Sequence, residues 1–184
     1  MTIRKVAVMG NPVLRKKAAP VTPEMIGTPK LTALIEDMIE TQKEYGGIGL
    51  AAPQVHESLA LIVVGMDSAG DDEMEMDDNH IPRTVLLNPK ITDFSTQMET
   101  DWEGCLSVPE LSGQVKRSVA VTIQAQDSTG KDVQIKAEGW AARVFQHEID
   151  HLYGILYIDR MNDMKSFSFN RELSRRQLED RETE

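Results

Sequence analysis

A single cysteine, Cys105, stands among 184 residues, so no disulfide can form within the chain and nothing in it requires an oxidising compartment. No apolar run approaches the roughly 18 residues of a membrane span. The first residues, MTIRKVAVMGNPVLRKK, lack the apolar stretch and cleavage site of a leader. Positive charge is scarce: the formal net charge is -10, which argues against a protein that grips phosphate backbones and against direct nucleic-acid binding. Neither G-x-G-x-x-G nor a phosphate-loop lysine is present, which excludes the common nucleotide-binding loops. No internal repeat is present. The expectation is a single domain over 1–184, in a cytoplasmic monomer or small homo-oligomer with no membrane contact.

The hydrophobic pattern mixes two periods. Residues 30–45 place Leu31, Leu34, Ile35, Met38 and Ile39 at helical spacing, behind Pro29 and ahead of Gly46 and Gly47. Residues 58–66 and 84–94 read as strands, the second with a turn at Asn88-Pro89. Residues 118–127 and 132–139 flank the turn STGK and read as a hairpin. A second helix spans 140–154 and stops at Gly154. The acidic stretch 67–80 reads as a solvated loop, with an acidic docking site as the alternative. From about 160 the tail has helical composition, and its last residues are expected to fray. Strands and helices do not alternate, which points to an α+β fold rather than a parallel sheet.

The second helix contains QHEIDHL. His147 and His151 are four apart and share a face with Trp140 and Val144, with Glu148 at its edge. H-E-x-x-H on a helix is the pattern of two imidazoles on one metal with a carboxylate beside them, although two satisfied histidines would give the same spacing. A catalytic metal usually has three protein ligands and one open position. The third ligand must come from a carboxylate, from His56 or His80, or from Cys105. Both of those histidines are expected to be exposed. Cys105 sits in WEGCLSVPE, read as a short rigid loop able to present a thiolate; a small buried hydrophobe is the plain alternative. A third stretch, GGIGLAAPQ at 46–54, is rich in small residues that permit close backbone approach and ends in the amide of Gln54.

Taken together, GIGLAAPQ (47–54), EGCLS (103–107) and HEIDH (147–151) resemble the three signature motifs of the peptide deformylase family, in order and over most of the chain. The resemblance implies an α+β fold with mixed and antiparallel sheets packed around a central helix carrying HEIDH. It implies a hydrolase that removes the formyl group from the N-terminal formyl-methionine of new polypeptides, by attack of a water activated on a metal. The metal ligands would be Cys105, His147 and His151, holding Fe2+, with Zn2+, Ni2+ or Co2+ able to take its place.

The same resemblance makes Glu148 the general acid/base and Gln54 and the Leu106 N–H the donors to the developing oxyanion. Ile48, Trp140 and Val144 would line the methionine pocket, with Arg143 snorkelling outward or lining its rim. The peptide backbone would pair near Gly49 by strand addition. Glu103 and Asp150 are expected to support the ligands, with Arg117, in the loop VKRS, pairing with one of them. Partners would be the formyl-methionyl peptide and nascent chains on the ribosome. Two other readings stand beside this one: a general H-E-x-x-H metallopeptidase, and a structural metal module. The second would need four protein ligands and would leave Glu148 without a purpose.

Overall fold

Leu61, Ile62, Val63 and Val64 are buried at every position, which a strand covered on one face alone would not allow. The computed structural model, which describes residues 2–66 and 81–175, shows why. These four residues form β2 (Leu61–Val64), inside a five-stranded sheet clad by a helix on each face. Ile62 and Val64 meet Phe145, Ile149 and Leu152 of α2 (Gly139–Leu152). Leu61 and Val63 meet Leu31, Leu34 and Met38 of α1 (Pro29–Glu44). The acidic stretch, His80 and the end of the tail lie outside the described residues.

The sheet also contains β1 (Gly49–Ala51), β3 (Thr84–Phe94), β6 (Ala120–Gln126) and β7 (Asp132–Glu138), in the order β1-β2-β3-β6-β7. A second sheet has β4 (Met98–Cys105), β5 (Val108–Ser118) and β8 (Ser168–Phe169), in the order β4-β5-β8. Pairing between these strands is antiparallel throughout, and among the described residues parallel pairing is confined to the isolated bridges Ala19–Leu59 and Met66–Pro82. A third apolar cluster, including Leu14, Val115, Leu156 and Tyr157, fills the space beneath the small sheet. The helix carrying HEIDH therefore runs between the two sheets, as expected of an α+β fold.

Local chemistry fixes the helix ends. Thr28 caps α1, its hydroxyl accepting from the Leu31 N–H at 3.3 Å, and Pro29 takes the first helical position. Beyond α2, Gly154 adopts a φ of 74°, and a Cβ there would stand 2.7 Å from the Arg15 carbonyl carbon. Glycine is thus required twice over, for conformation and for space.

Four sequence expectations change. The stretch around Cys105, expected as a short rigid loop, is the end of β4 and the start of β5 joined by a tight turn, and Arg117 lies within β5 rather than in a loop. Its strands alternate poorly in hydrophobicity because β4 is largely exposed, which hid them. The expected turn at Asn88 is a bulge inside continuous β3. Asn88 takes a φ of 53°, and its side chain bonds the Val21 N–H and carbonyl, each at 2.8 Å. The strand expected over 58–66 shortens to β2. The described part of the tail forms turns at 157–160 and 164–166 and then β8, with helical backbone from 170 to the last described residue, 175.

Candidate active site

Two elements deliver the candidate metal ligands. One turn of α2 separates His147 from His151, and both are buried. Across from them the ladder of the β4–β5 hairpin shifts register at Gly104/Cys105, so that Cys105 pairs with Val108 and its thiol faces the helix. One potential ligand atom from each of Cys105, His147 and His151 lies within 4.8 Å of the other two. Cys105 Sγ is 3.3 Å from His151 Nε2. This is the only such triplet among the described residues, and His56 is exposed away from it.

Electrostatics prepares the thiol as a ligand. Burial alone would push Cys105 up, but the neighbouring imidazoles of His151 and His147 hold it well below the usual thiol range. Further donors reach the sulfur: the Ser107 N–H at 3.4 Å and the Gln54 side-chain amide at 3.5 Å. Gln54 is itself oriented, because its Oε1 accepts from the Ala51 N–H at 2.8 Å and its Nε2 also donates to Ser107 Oγ at 3.2 Å.

Around the triplet lies a buried network of charges. Glu103 Oε2 accepts from His147 Nδ1 at 2.9 Å and from Arg117 Nη2 at 3.0 Å. Glu103 Oε1 accepts from Arg117 Nε and Arg143 Nη1, each at 2.9 Å. A carboxylate can only accept, so His147 Nδ1 carries a proton, which leaves Nε2 as the ring atom able to face an ion. Burial opposes ionisation of Glu103, but the hydrogen bonds from His147 and Arg117 prevail and hold its carboxyl well below the usual range. Arg117 also donates to Asp150 at 2.5 Å, so it pairs with both expected carboxylates rather than one. Arg143 is buried with its guanidinium turned into this network rather than snorkelling to water, and it also lines the adjoining cleft.

Gln54, Glu103, Cys105, Arg143 and His147 border a cleft of about 580 Å³. Ile48, Gly49, Leu106, Trp140, Val144 and Glu148 all line it. Glu148 Oε2 is buried and has no hydrogen-bond partner, a state that a protein tolerates where a ligand or ion completes the site. Burial pushes the Glu148 carboxyl above its ordinary value, only partly offset by His147 and His151. Gly49 is what lets it sit there: a Cβ at that position would stand 2.6 Å from Glu148 Cγ. β1, which carries Gly49, is an edge strand of the large sheet.

Sequence reasoning missed several neighbours of the site. Ser107 is fully buried and bonds both Gln54 and Cys105. The Tyr157 ring stacks on His147 at 6.2 Å between centroids, and its hydroxyl donates to the Leu111 carbonyl. Lys5, Val8, Tyr45 and Asn170 also wall the cleft. Lys5, Val8 and Asn170 come from unpatterned segments, and Tyr45 from the end of the helix read over 30–45, so no motif marks them.

The donor set fits a divalent ion: one soft thiolate, two imidazoles, and a carboxylate held beside them with an unpartnered oxygen. Comparison with known proteins agrees. The chain is 44% identical over 167 residues to peptide deformylase 2 of Pseudomonas putida, covering 91% of this chain and 92% of that protein. The same identity and coverage hold for peptide deformylase 1 of Bordetella pertussis. Among solved structures, the class I type b peptide deformylase of Acinetobacter baumannii bound to Met-Ala-Ser superposes with a TM-score of 0.79 at 36% identity, over 86% of this chain and 98% of that one. The Thermotoga maritima peptide deformylase superposes with a TM-score of 0.75 at 39% identity, over 89% of this chain and all of that one. Residues 3–167 match the polypeptide deformylase family, and with that span covering nearly the whole described fold, the chain belongs to it.

Proposed function

We infer that this enzyme hydrolyses the formamide bond of N-terminal formyl-methionyl peptides and releases formate. The observation that carries the reading is the Cys105–His147–His151 triplet, of which Cys105 and His147 line the cleft, with the Glu148 carboxyl and its unpartnered oxygen beside it. The Met-Ala-Ser bound by the Acinetobacter relative is a peptide of the kind such a reaction leaves, and supports the same substrate. Membership of the deformylase family does not favour a general peptidase, and a three-ligand set open to a cleft does not favour a structural module.

Cys105, His147 and His151 would hold the metal, with ferrous iron our assignment. A divalent ion there supplies Lewis acidity, which makes water nucleophilic near neutral pH and draws charge from the formyl oxygen. The chain's own groups do the rest. Glu148 takes a proton as water oxygen bonds to the formyl carbon. It returns that proton to the amide nitrogen as the carbon–nitrogen bond breaks. Its burial-raised carboxyl suits both transfers. The oriented Gln54 amide and the Leu106 N–H donate to the oxygen on which charge develops. Ile48, Trp140 and Val144 hold the methionine side chain, and the peptide backbone adds to the free edge of β1 at Gly49.

We place the activity in one catalytic domain of a cytoplasmic monomer or small oligomer, acting on nascent chains at the ribosome. No helix among the described residues is long and apolar enough to cross a membrane. The test is formate release from formyl-Met-Ala-Ser by wild type and Glu148→Ala, purified anaerobically with iron. Turnover in wild type, lost in the variant while the metal stays, is expected. No turnover by metal-loaded wild type would overturn the reading.

A further inference from the structure

The ligands come from two separate elements, so something must fix the distance between them. Cys105 ends β4 of the small sheet, while His147 and His151 ride on α2, whose apolar face packs on the large sheet. Several side chains reach across from the helix, among them His147 to Glu103 and Gln146 to the Ser118 main chain at the end of β5, and one of them meets the main chain of both strands. Arg143 lies one turn before His147, and its guanidinium meets both strands of the hairpin. Nη1 donates to Glu103 Oε1 at 2.9 Å and to the Val115 carbonyl at 2.8 Å. Nη2 donates to the Glu99 carbonyl at 3.0 Å. Glu99 and Glu103 belong to β4, and Val115 to β5. Arg143 is only 4% exposed, so these three bonds are its compensation for lost water.

We propose that Arg143 is a positioning residue for the metal ligands, holding the Cys105 hairpin at the distance from α2 at which Cys105, His147 and His151 share one ion. Arg117 makes the reciprocal contact, reaching from β5 to Asp150 on α2 at 2.5 Å. The two arginines meet on Glu103, which lies two residues before Cys105 and accepts from His147. They are not equivalent. Arg117 bonds carboxylates only, whereas Arg143 also bonds backbone carbonyls on both strands, and so fixes the hairpin's main chain and not merely its charges. A planar guanidinium fork can meet three acceptors at set directions, which an ammonium on a flexible stem cannot. Arg143 also walls the cleft, between Trp140 and Val144.

This inference rests on the metal reading given above. The experiment compares wild type, Arg143→Met and Arg143→Lys, each loaded with Co2+. It records the thiolate-to-cobalt charge-transfer and d–d bands, the cobalt dissociation constant by chelator competition, and circular dichroism for the fold. Arg143→Met should fold, bind cobalt about 10–100-fold more weakly, and show shifted d–d bands. Arg143→Lys keeps the charge but not the fork, and should fall between the two. Unchanged bands and affinity in a folded Arg143→Met overturn the inference while leaving the metal site standing. If only Arg143→Lys folds, its bands and affinity decide by the same criterion. Loss of fold in both variants also overturns it, since Arg143 is then a core cation and nothing more. A wild type without a charge-transfer band overturns the metal reading itself, and this inference with it.

Discussion

The imidazole of His147 donates from Nδ1 to Glu103 Oε2 across 2.9 Å, so a buried carboxylate fixes the tautomer of a proposed metal ligand. Glu103 also carries the countercharge for Arg117 and Arg143, both buried. Glu103→Gln keeps an acceptor for His147 but leaves two guanidiniums under-compensated. Removing one partner from such a buried cluster typically costs about 3–5 kcal/mol. Urea unfolding should show a loss in that range. A loss under 1 kcal/mol would mean that water, not Glu103, solvates the arginines.

The same residue sets a pH dependence. The Glu103 carboxyl is held below its ordinary value, so its contribution to stability is fully present above the unfolded-state pKa of about 4.3. That contribution is lost as pH falls from there toward the folded-state value. Wild type should therefore lose stability steeply below about pH 5, and Glu103→Gln should lose less over the same interval. Urea midpoints measured between neutral pH and pH 3 provide the check. Parallel curves for the two proteins would contradict it.

What was legible in the sequence was whatever repeats locally. The helix over 30–45 matches α1, and that over 140–154 matches α2, because their apolar residues recur every three or four positions and glycines close them. The β6–β7 hairpin showed through its alternation and its STGK turn. The β4–β5 hairpin did not. β4 is too exposed to alternate, and the burial of Glu103, Arg117 and Arg143 is a property of their meeting, which no window of sequence contains. For the same reason Arg143 read as snorkelling or lining a rim, Ser107 stood inside EGCLS without a role of its own, and Tyr157 carried no mark. The site motifs were readable because H-E-x-x-H encodes geometry within a single helix. The third ligand remained one of several candidates until the family resemblance selected Cys105.

Gly49 and Glu148 share a contact that leaves no room for a methyl group. A Cβ at position 49 would stand 2.6 Å from both Cγ and Cδ of Glu148, and closer still to its carboxylate oxygen. Gly49→Ala should push the carboxylate aside without touching Cys105 or either histidine. Metal content should match wild type, while kcat for formate release falls by about 100-fold or more, the range for losing a positioned general acid/base. Metal loss in step with activity would show instead that the whole cleft had rearranged.

Gln54 offers a cleaner test of transition-state binding, because its amide is aimed before any substrate arrives. The Ala51 N–H holds Oε1 at 2.8 Å, which turns the NH2 group toward Cys105 and Ser107. A donor set in advance toward developing charge acts chiefly on kcat, and removing one typically costs about 10²–10³ in rate. Gln54→Ala should therefore lower kcat by that factor with little change in KM for formyl-Met-Ala-Ser. Gln54→Glu tests the sign of the interaction. It presents an acceptor where a donor is needed and adds negative charge beside the Cys105 sulfur, so it should be slower than Gln54→Ala even with metal bound. Equal rates for the two variants would mean that the amide serves only to hold Ser107 and the loop. The Leu106 N–H would then be left as the chain's own donor to the oxyanion.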